Sequence, residues 1–313
     1  MLVDKTKSGK VRPWKEKKLA NIGYWELLHI LEFKKAERVK GCAEILEYKI
    51  DKKTEEMNLH RVWFCKSRLC PMCNWRRAMK HGIQSQKVVA EVIKRKPNVR
   101  WLFLTFSVKN VYDGKELSES LSLMSKGFNR MMKYKKINKN LVGFMRATEV
   151  TVNRVDNSYN QHMHVLVCVE SSYFHGSVNY ITQNQWTSFW KRAMKLDYDP
   201  IVDVRAIKPK NKQKSDIQSA IDETAKYPVK DTDFMTDDED KNLQRLADLE
   251  KGLYRKRLIS YGGLLKEIHK ELNLDDAEDG DLIHTDDEQE KADEYGFSIV
   301  AMWNWERKNY YIK

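Results

Sequence analysis

No stretch of this chain approaches the roughly 18 uninterrupted apolar residues of a membrane-spanning helix. The lysine-rich first 20 residues lead into no apolar block of a secretory signal. A soluble, cytoplasmic protein with no membrane partner is therefore expected. Cysteine is scarce, with five in 313 residues. The number is odd, and Cys65, Cys70 and Cys73 crowd together at a spacing unsuited to a disulfide scaffold, which favours metal binding in a reducing compartment. Internal repeats are also lacking.

What is present is length, apolar content and charge. The 313 residues, 41% apolar and 11% aromatic, suffice for two or three compact units with real cores. The net charge of +12 hides an asymmetry. Residues 1–230 carry 45 Lys/Arg against 23 Asp/Glu, whereas residues 231–313 carry 12 against 22. An acidic tail thus masks a strongly basic body, and the commonest polyanion such a body attracts is nucleic acid.

Patterning along the chain divides it into three. Residues 1–95 read as a basic, metal-stapled module, with Asn74 to Lys80 helical after the cysteine cluster. Residues 96–230 carry the regular pattern. Trp101 to Val108 is predicted as a strand, and Leu117, Leu121, Met124, Phe128 and Met131 recur at helical spacing. Residues 142–153 and 162–169 form two strands around the polar turn Asn153 to Asn160, a hairpin. Thr182 and Gln185 make a capping box for a helix bearing Trp186, Phe189, Trp190 and Met194, and Ile201 to Ile207 is a further strand. That order predicts an α+β fold, a split βαβ, ferredoxin-like antiparallel sheet with helices on one face. Ser215 and Gln218 start another helix that ends near Pro228. Residues 231–313 form an acidic carboxy-terminal extension, in which Asp237 to Asp240 and Asp275 to Glu294 are linkers or solvated loops.

In Gln161-His162-Met163-His164-Val165-Leu166-Val167-Cys168-Val169, alternation sends His162 and His164 to one face and Met163, Val165, Val167 and Val169 to the other. Two imidazoles projecting in parallel from a rigid strand suit a divalent metal. A turn centred between Asp156 and Asn157 would place Glu149 opposite His164 as a third, oxygen ligand. Such a set leaves positions for phosphate oxygens and water and suits Mn²⁺ or Mg²⁺ better than a closed zinc site.

Glu223 and Tyr227 lie four residues apart on one helix face, with Lys230 within reach. A phenol with a pKa near 10 is a poor nucleophile at neutral pH, so metal and positive charge must activate it. Cys65, Cys70 and Cys73 supply three thiolates for a structural Zn²⁺. Cys42 is the upstream candidate for the fourth, with His60 and His81 as rivals. Arg68, Arg76, Arg77 and Lys80 around the cluster are expected to contact DNA.

With these residues in hand, the chain resembles the rolling-circle plasmid replication initiators of Gram-positive bacteria, within the wider group of HUH endonucleases. The likeness runs over nearly the whole chain and rests on Cys65 to Cys73, Leu102 to Phe106, His162-Met163-His164 and Glu223 to Lys230. It implies a protein that binds its plasmid's double-strand origin and nicks one strand. It would stay joined to the 5′ end through Tyr227, leaving a 3′-hydroxyl for polymerase. It further implies that His162, His164 and Glu149 hold the metal, that Lys230 is the basic position after the tyrosine, and that Glu223 activates the water ending replication. A host helicase is an implied partner, and the sequence does not specify whether the chain is a homo-oligomer. A transposase or relaxase of the same chemistry is the alternative enzyme. From another class, a zinc-dependent DNA-binding regulator would need neither the histidine pair nor Tyr227.

Overall fold

The structure, a computed structural model, describes residues 1–6, 9–53, 55–207, 216–224, 229–276, 278–285 and 295–313. Its helices are α1 (Trp14–Ile30), α2 (Ala36–Lys40), α3 (Pro71–Arg95), α4 (Gly114–Met131), α5 (Lys135–Asn138), α6 (Gly176–Asn179), α7 (Gln183–Met194), α8 (Asp216–Thr224), α9 (Glu239–Gly252) and α10 (Leu264–Glu271). Its strands are β1 (Ile45–Asp51), β2 (Met57–Val62), β3 (Arg100–Ser107), β4 (Leu141–Val152), β5 (Tyr159–Val169), β6 (Val202–Ile207), β7 (Ile259–Gly263), β8 (Tyr295–Asn304) and β9 (Asn309–Ile312). They form two antiparallel sheets in an α+β fold, in the orders β2-β1-β8-β9 and β6-β3-β5-β4-β7.

Two compact units result, and they do not follow the divisions at 95/96 and 230/231. One gathers Met1–Lys80, Phe234–Leu246 and Glu278–Lys313; the other His81–Asp233 and Ala247–Ala277. Residues 231–313 are shared out because their strands pair with partners distant in sequence. Ile45 of β1 faces Met302 of β8, and Phe144 of β4 faces Gly262 of β7. Acidic composition is blind to such pairings.

In the larger unit, β6-β3-β5-β4 is the split βαβ order expected from the pattern of elements. Asp113 caps α4 by accepting from the amides of Lys115 and Glu116, and Thr182 with Gln185 forms the expected capping box of α7. Met163, Val165 and Val167 of β5, with Leu104 and Phe106 of β3, pack against Phe128 of α4 and Trp186 and Trp190 of α7. Burying such side chains stabilises a fold by roughly 1.5–3 kcal/mol each.

The opposite face departs from the one-sided expectation. Leu166 and Cys168 of β5 and Met145 of β4 lie in a second core with Val88, Val89 and Val92 of α3, Ala220 and Ile221 of α8, and Leu265 and Ile268 of α10. Helices therefore cover both faces, because β5 is apolar on both sides toward its carboxyl end and polar on one side only at His162 and His164. The turn into α10 requires glycine: Gly263 has φ +58°, and a Cβ there would lie 2.4 Å from the Val142 carbonyl oxygen.

The smaller unit buries Tyr24, Leu28, Val39, Leu46 and Tyr48 around its own sheet. Among the described residues no helix is long and apolar enough to cross a membrane.

Candidate functional site

The smaller unit holds a cluster of four thiols. Cys42 follows α2, Cys65 and Cys70 sit on the loop after β2, and Cys73 lies in the first turn of α3, where Pro71 occupies the amino-terminal position its ring suits. All four are at most 2% exposed. The Sγ atoms of Cys42 and Cys73 are 3.6 Å apart, those of Cys65 and Cys73 3.6 Å, and those of Cys70 and Cys42 3.7 Å. The edge of a tetrahedron with zinc–sulfur bonds of about 2.3 Å is about 3.8 Å, so the set fits that ion. The amides of Cys65 and Ser67 and Asn21 Nδ2 donate to the sulfurs, as donors around thiolates do. Burial pushes the Cys42 and Cys73 thiols up, so four clustered thiolates need a cation. Neither rival histidine belongs to the set. His81 lies fully buried with neither ring nitrogen hydrogen-bonded, and burial, with His269 nearby, holds its imidazole down at about 4.

The basic residues expected on DNA make hydrogen bonds and an ion pair within the chain. Arg76 is 1% exposed; it donates to the Leu282 carbonyl at 2.9 Å and the Ile283 carbonyl at 2.5 Å, with its guanidinium over the rings of Trp14 and Trp75. Lys80 donates to the Asp281 carbonyl, Arg77 to the Glu278 carbonyl at 2.8 Å, and Arg68 pairs with the Glu278 carboxylate at 3.3 Å. Residues 278–285 are thus a docked segment rather than a solvated loop, with Leu282 and Thr285 buried. Cation-to-carbonyl bonds carry no sequence signature.

The second site lies on the sheet of the larger unit. His162 and His164 share one face of β5, their side chains 16% and 12% exposed. Glu149 of β4 is the direct partner of His162 rather than of His164. The hairpin turn centres two positions short in the sum of paired numbers, since Asn153 already accepts the Asn157 amide. The carboxylate nevertheless serves both rings: Oε2 is 3.2 Å from His162 Nε2 and 3.1 Å from His164 Nε2. Ligands bound about 2.1–2.2 Å from an ion at right angles are about 3.0 Å apart, and a carboxylate with two imidazoles is a donor set that first-row divalent ions accept. The residues therefore fit the expected metal. Burial raises the Glu149 carboxyl, but hydrogen bonds from both imidazoles prevail and hold it well below the usual carboxylate range.

Residues without a sequence assignment complete the surroundings. Thr105, the partner of His164 on β3, has its hydroxyl 3.2 Å from His164 Nδ1, and Phe103 stacks on the His164 ring at 5.6 Å and 16°. Asp233 lies close enough to Glu149 to feel its charge, and burial raises its carboxyl. Alternation along β3 marks 103 and 105 as one face, but which strand they adjoin is a matter of register between distant segments. Of the helix residues expected at the site, Glu223 of α8 has its carboxylate 4.0 Å from His164 Nε2. Lys230 is exposed, its amide donating to Asp233. Ser215 and Tyr227 lie outside the described residues. A cleft of about 490 Å³ adjoins His164, walled by Phe103, Thr105, Arg205, Ala206, Ile207, Ser219, Ala220 and Glu223.

Comparison with known proteins places the chain in a family. A replication protein of Staphylococcus aureus is 80% identical over 235 residues, 75% of this chain and the whole of that protein. A protein rep of Lactiplantibacillus plantarum is 48% identical over 312 residues, 99% of this chain and 98% of the relative. Another, from Streptococcus pneumoniae, is 42% identical over 316 residues, covering 100% and 96%. No solved structure matches. The family model described as Replication protein spans residues 56–311, from the strand before the cysteine cluster to the last strand of the chain, and this protein therefore belongs to that family.

Proposed function

We propose that this protein initiates rolling-circle replication of a plasmid, nicking one strand of the origin and joining itself to the 5′ end through Tyr227. The observation that carries the reading is the convergence of Glu149, His162 and His164 on one face, with Glu223 of α8 4.0 Å from His164. A regulator that only bound DNA would have no use for that convergence.

The chain's own residues would act as follows. The Glu149 carboxylate, charged at neutral pH, and the Nε2 atoms of His162 and His164 hold a divalent ion, Mn²⁺ or Mg²⁺. When bound, it supplies charge neutralisation at the scissile phosphate. Thr105 fixes a tautomer: a proton on His164 Nδ1 donates to the threonine hydroxyl and leaves Nε2 as the ligating lone pair. Tyr227 Oη gives up its proton and bonds to phosphorus, while the bond to the 3′-oxygen breaks and that oxygen leaves as a hydroxyl. One phosphodiester replaces another, so the break can be resealed without ATP. Glu223 serves later as the base that activates a water for the closing cleavage, and Lys230 adds positive charge. The four cysteines hold a structural Zn²⁺. The partners are the plasmid's double-strand origin, then a host helicase and polymerase acting on the freed 3′-hydroxyl.

Incubation with labelled single-stranded origin DNA and Mn²⁺, followed by denaturing electrophoresis, should give a protein–DNA adduct that Tyr227→Phe abolishes. Glu223→Ala should keep the adduct and yield replication products longer than one unit. Free 5′-phosphate ends without any adduct would overturn the tyrosine mechanism.

A further inference from the structure

The cleft beside His164 has no task in the chemistry above, yet its walls are chemically distinctive. Across the sheet, His164, Thr105 and Asp203 form one row of paired residues, and Leu166, Phe103 and Arg205 the next. Arg205 therefore stands two strands across and one row along from His164, roughly 12 Å between Cα atoms at the usual strand and residue spacings. Both side chains line the cleft, which shortens the gap to the scale of a single nucleotide.

Arg205 does no work in the core. Its side chain is 74% exposed, and among the described residues it pairs through Nε with Asp203 Oδ2 at 2.6 Å. Held by Nε, the guanidinium has both Nη groups available to a second anion among the described residues, a fork that matches a phosphate. Phe103 offers a half-buried ring stacked on His164, and Ser219 and Ala220 opposite are too small to fill the space. A volume of about 490 Å³ lies within the range of pockets that enclose small ligands, roughly 300–1,000 Å³. An aromatic face beside a cation is how proteins hold single-stranded nucleic acid. A nucleotide whose phosphate sat at Glu149, His162 and His164 would have its neighbour in this cleft.

We propose that the cleft is a subsite for the nucleotide adjoining the scissile phosphate, Phe103 stacking on its base and Arg205 holding its far phosphate. The proposal rests on the nicking reading for its substrate.

The test uses the full chain carrying Tyr227→Phe and single-stranded origin oligonucleotides with 2-aminopurine at successive positions around the nick. One position should lose fluorescence on binding. Phe103→Leu should restore that fluorescence and weaken binding about tenfold to a hundredfold, whereas Phe103→Tyr should retain quenching. Arg205→Ala should lower the slope of log affinity against log salt by about 0.7, one contact to single-stranded DNA, and Arg205→Lys should restore it. Duplex-origin affinity, measured in parallel, should stay unchanged if the variants fold. Binding without position-specific quenching, or quenching that survives Phe103→Leu, would overturn the subsite even where the wild type forms its adduct. Quenching lost in Phe103→Leu, in a wild type that forms no adduct, would keep the subsite and remove the nicking chemistry.

Discussion

The two candidate metal centres differ in every property that separates holding a fold from acting on a substrate. The cysteine set is four identical soft donors, at most 2% exposed, ringed by amides. It closes a coordination sphere. The Glu149, His162 and His164 set is mixed, harder and three-membered, its imidazoles 16% and 12% exposed beside a cleft. It leaves coordination positions unfilled. One is assembled from loops and a helix start separated by up to 31 residues, Cys42 to Cys73, and needs a metal to hold those pieces. The other stands on two hydrogen-bonded strands, whose pairing already brings Glu149 beside His162.

The largest effect should fall on the closed centre. Cys70→Ser removes one thiolate from a site whose metal-binding energy is folding energy, on the order of 10 kcal/mol for structural zinc. The variant should lose one equivalent of zinc and its near-ultraviolet dichroism. Zinc content by mass spectrometry and thermal melting check it; a folded, zinc-replete Cys70→Ser protein would break the contrast.

At the open centre the same kind of change should cost function and spare the fold. His164→Ala should lower the nicking rate by about a thousandfold, on the order of 4 kcal/mol of transition-state stabilisation, with a melting temperature close to that of the wild type. Loss of duplex-origin binding in step with nicking would show that the two centres are not separable in this way.

Legibility in the sequence followed the range of the interactions. Period-two alternation in 162–169 and the capping box at Thr182 are local, and both elements stand where they were expected. The hairpin is legible too, but a turn centred between Asp156 and Asn157 sets Glu149 opposite His164, whereas the strands pair it with His162, at the same site. Thr105, Phe103 and Arg205 were invisible as a group, because their meeting depends on β3 lying between β5 and β6. The engagement of Arg76 and Lys80 by residues 281–283 is hidden for the same reason: 201 to 207 residues separate donor from acceptor.

His81 sharpens the contrast as a histidine that serves neither centre. Burial holds its pKa at about 4, below the roughly 6.5 of an unfolded chain. The native state thus binds fewer protons than the unfolded state between those values. The stability it contributes is complete above about pH 6.5 and is lost as pH falls toward 4, on the order of 3 kcal/mol in all. Urea denaturation at pH 7.5 and 4.5 should show a drop that His81→Leu makes smaller. An unchanged drop would assign the acid sensitivity to other groups.

The smallest expected effect tests whether the open centre is preorganised rather than merely open. Thr105 gives and takes no proton or bond in the proposed reaction; its hydroxyl meets His164 Nδ1 at 3.2 Å, on the side of the ring away from Glu149. Thr105→Val keeps the branched shape and strand preference while removing the acceptor, so the imidazole loses what fixes its tautomer and its rotation about χ2. Partners of this kind are worth about ten- to a hundredfold in metal affinity. Mn²⁺ affinity of the full chain should therefore fall about tenfold, and nicking at limiting Mn²⁺ should fall with it. Saturating Mn²⁺ should bring the rate most of the way back. That recovery separates positioning from chemistry, because a residue taking part in the reaction would leave the saturated rate depressed. Thr105→Ser restores the hydroxyl and should restore the affinity. Equal Mn²⁺ affinity in wild type and Thr105→Val would mean that Phe103, stacked on the other part of the same ring, orients His164 by itself.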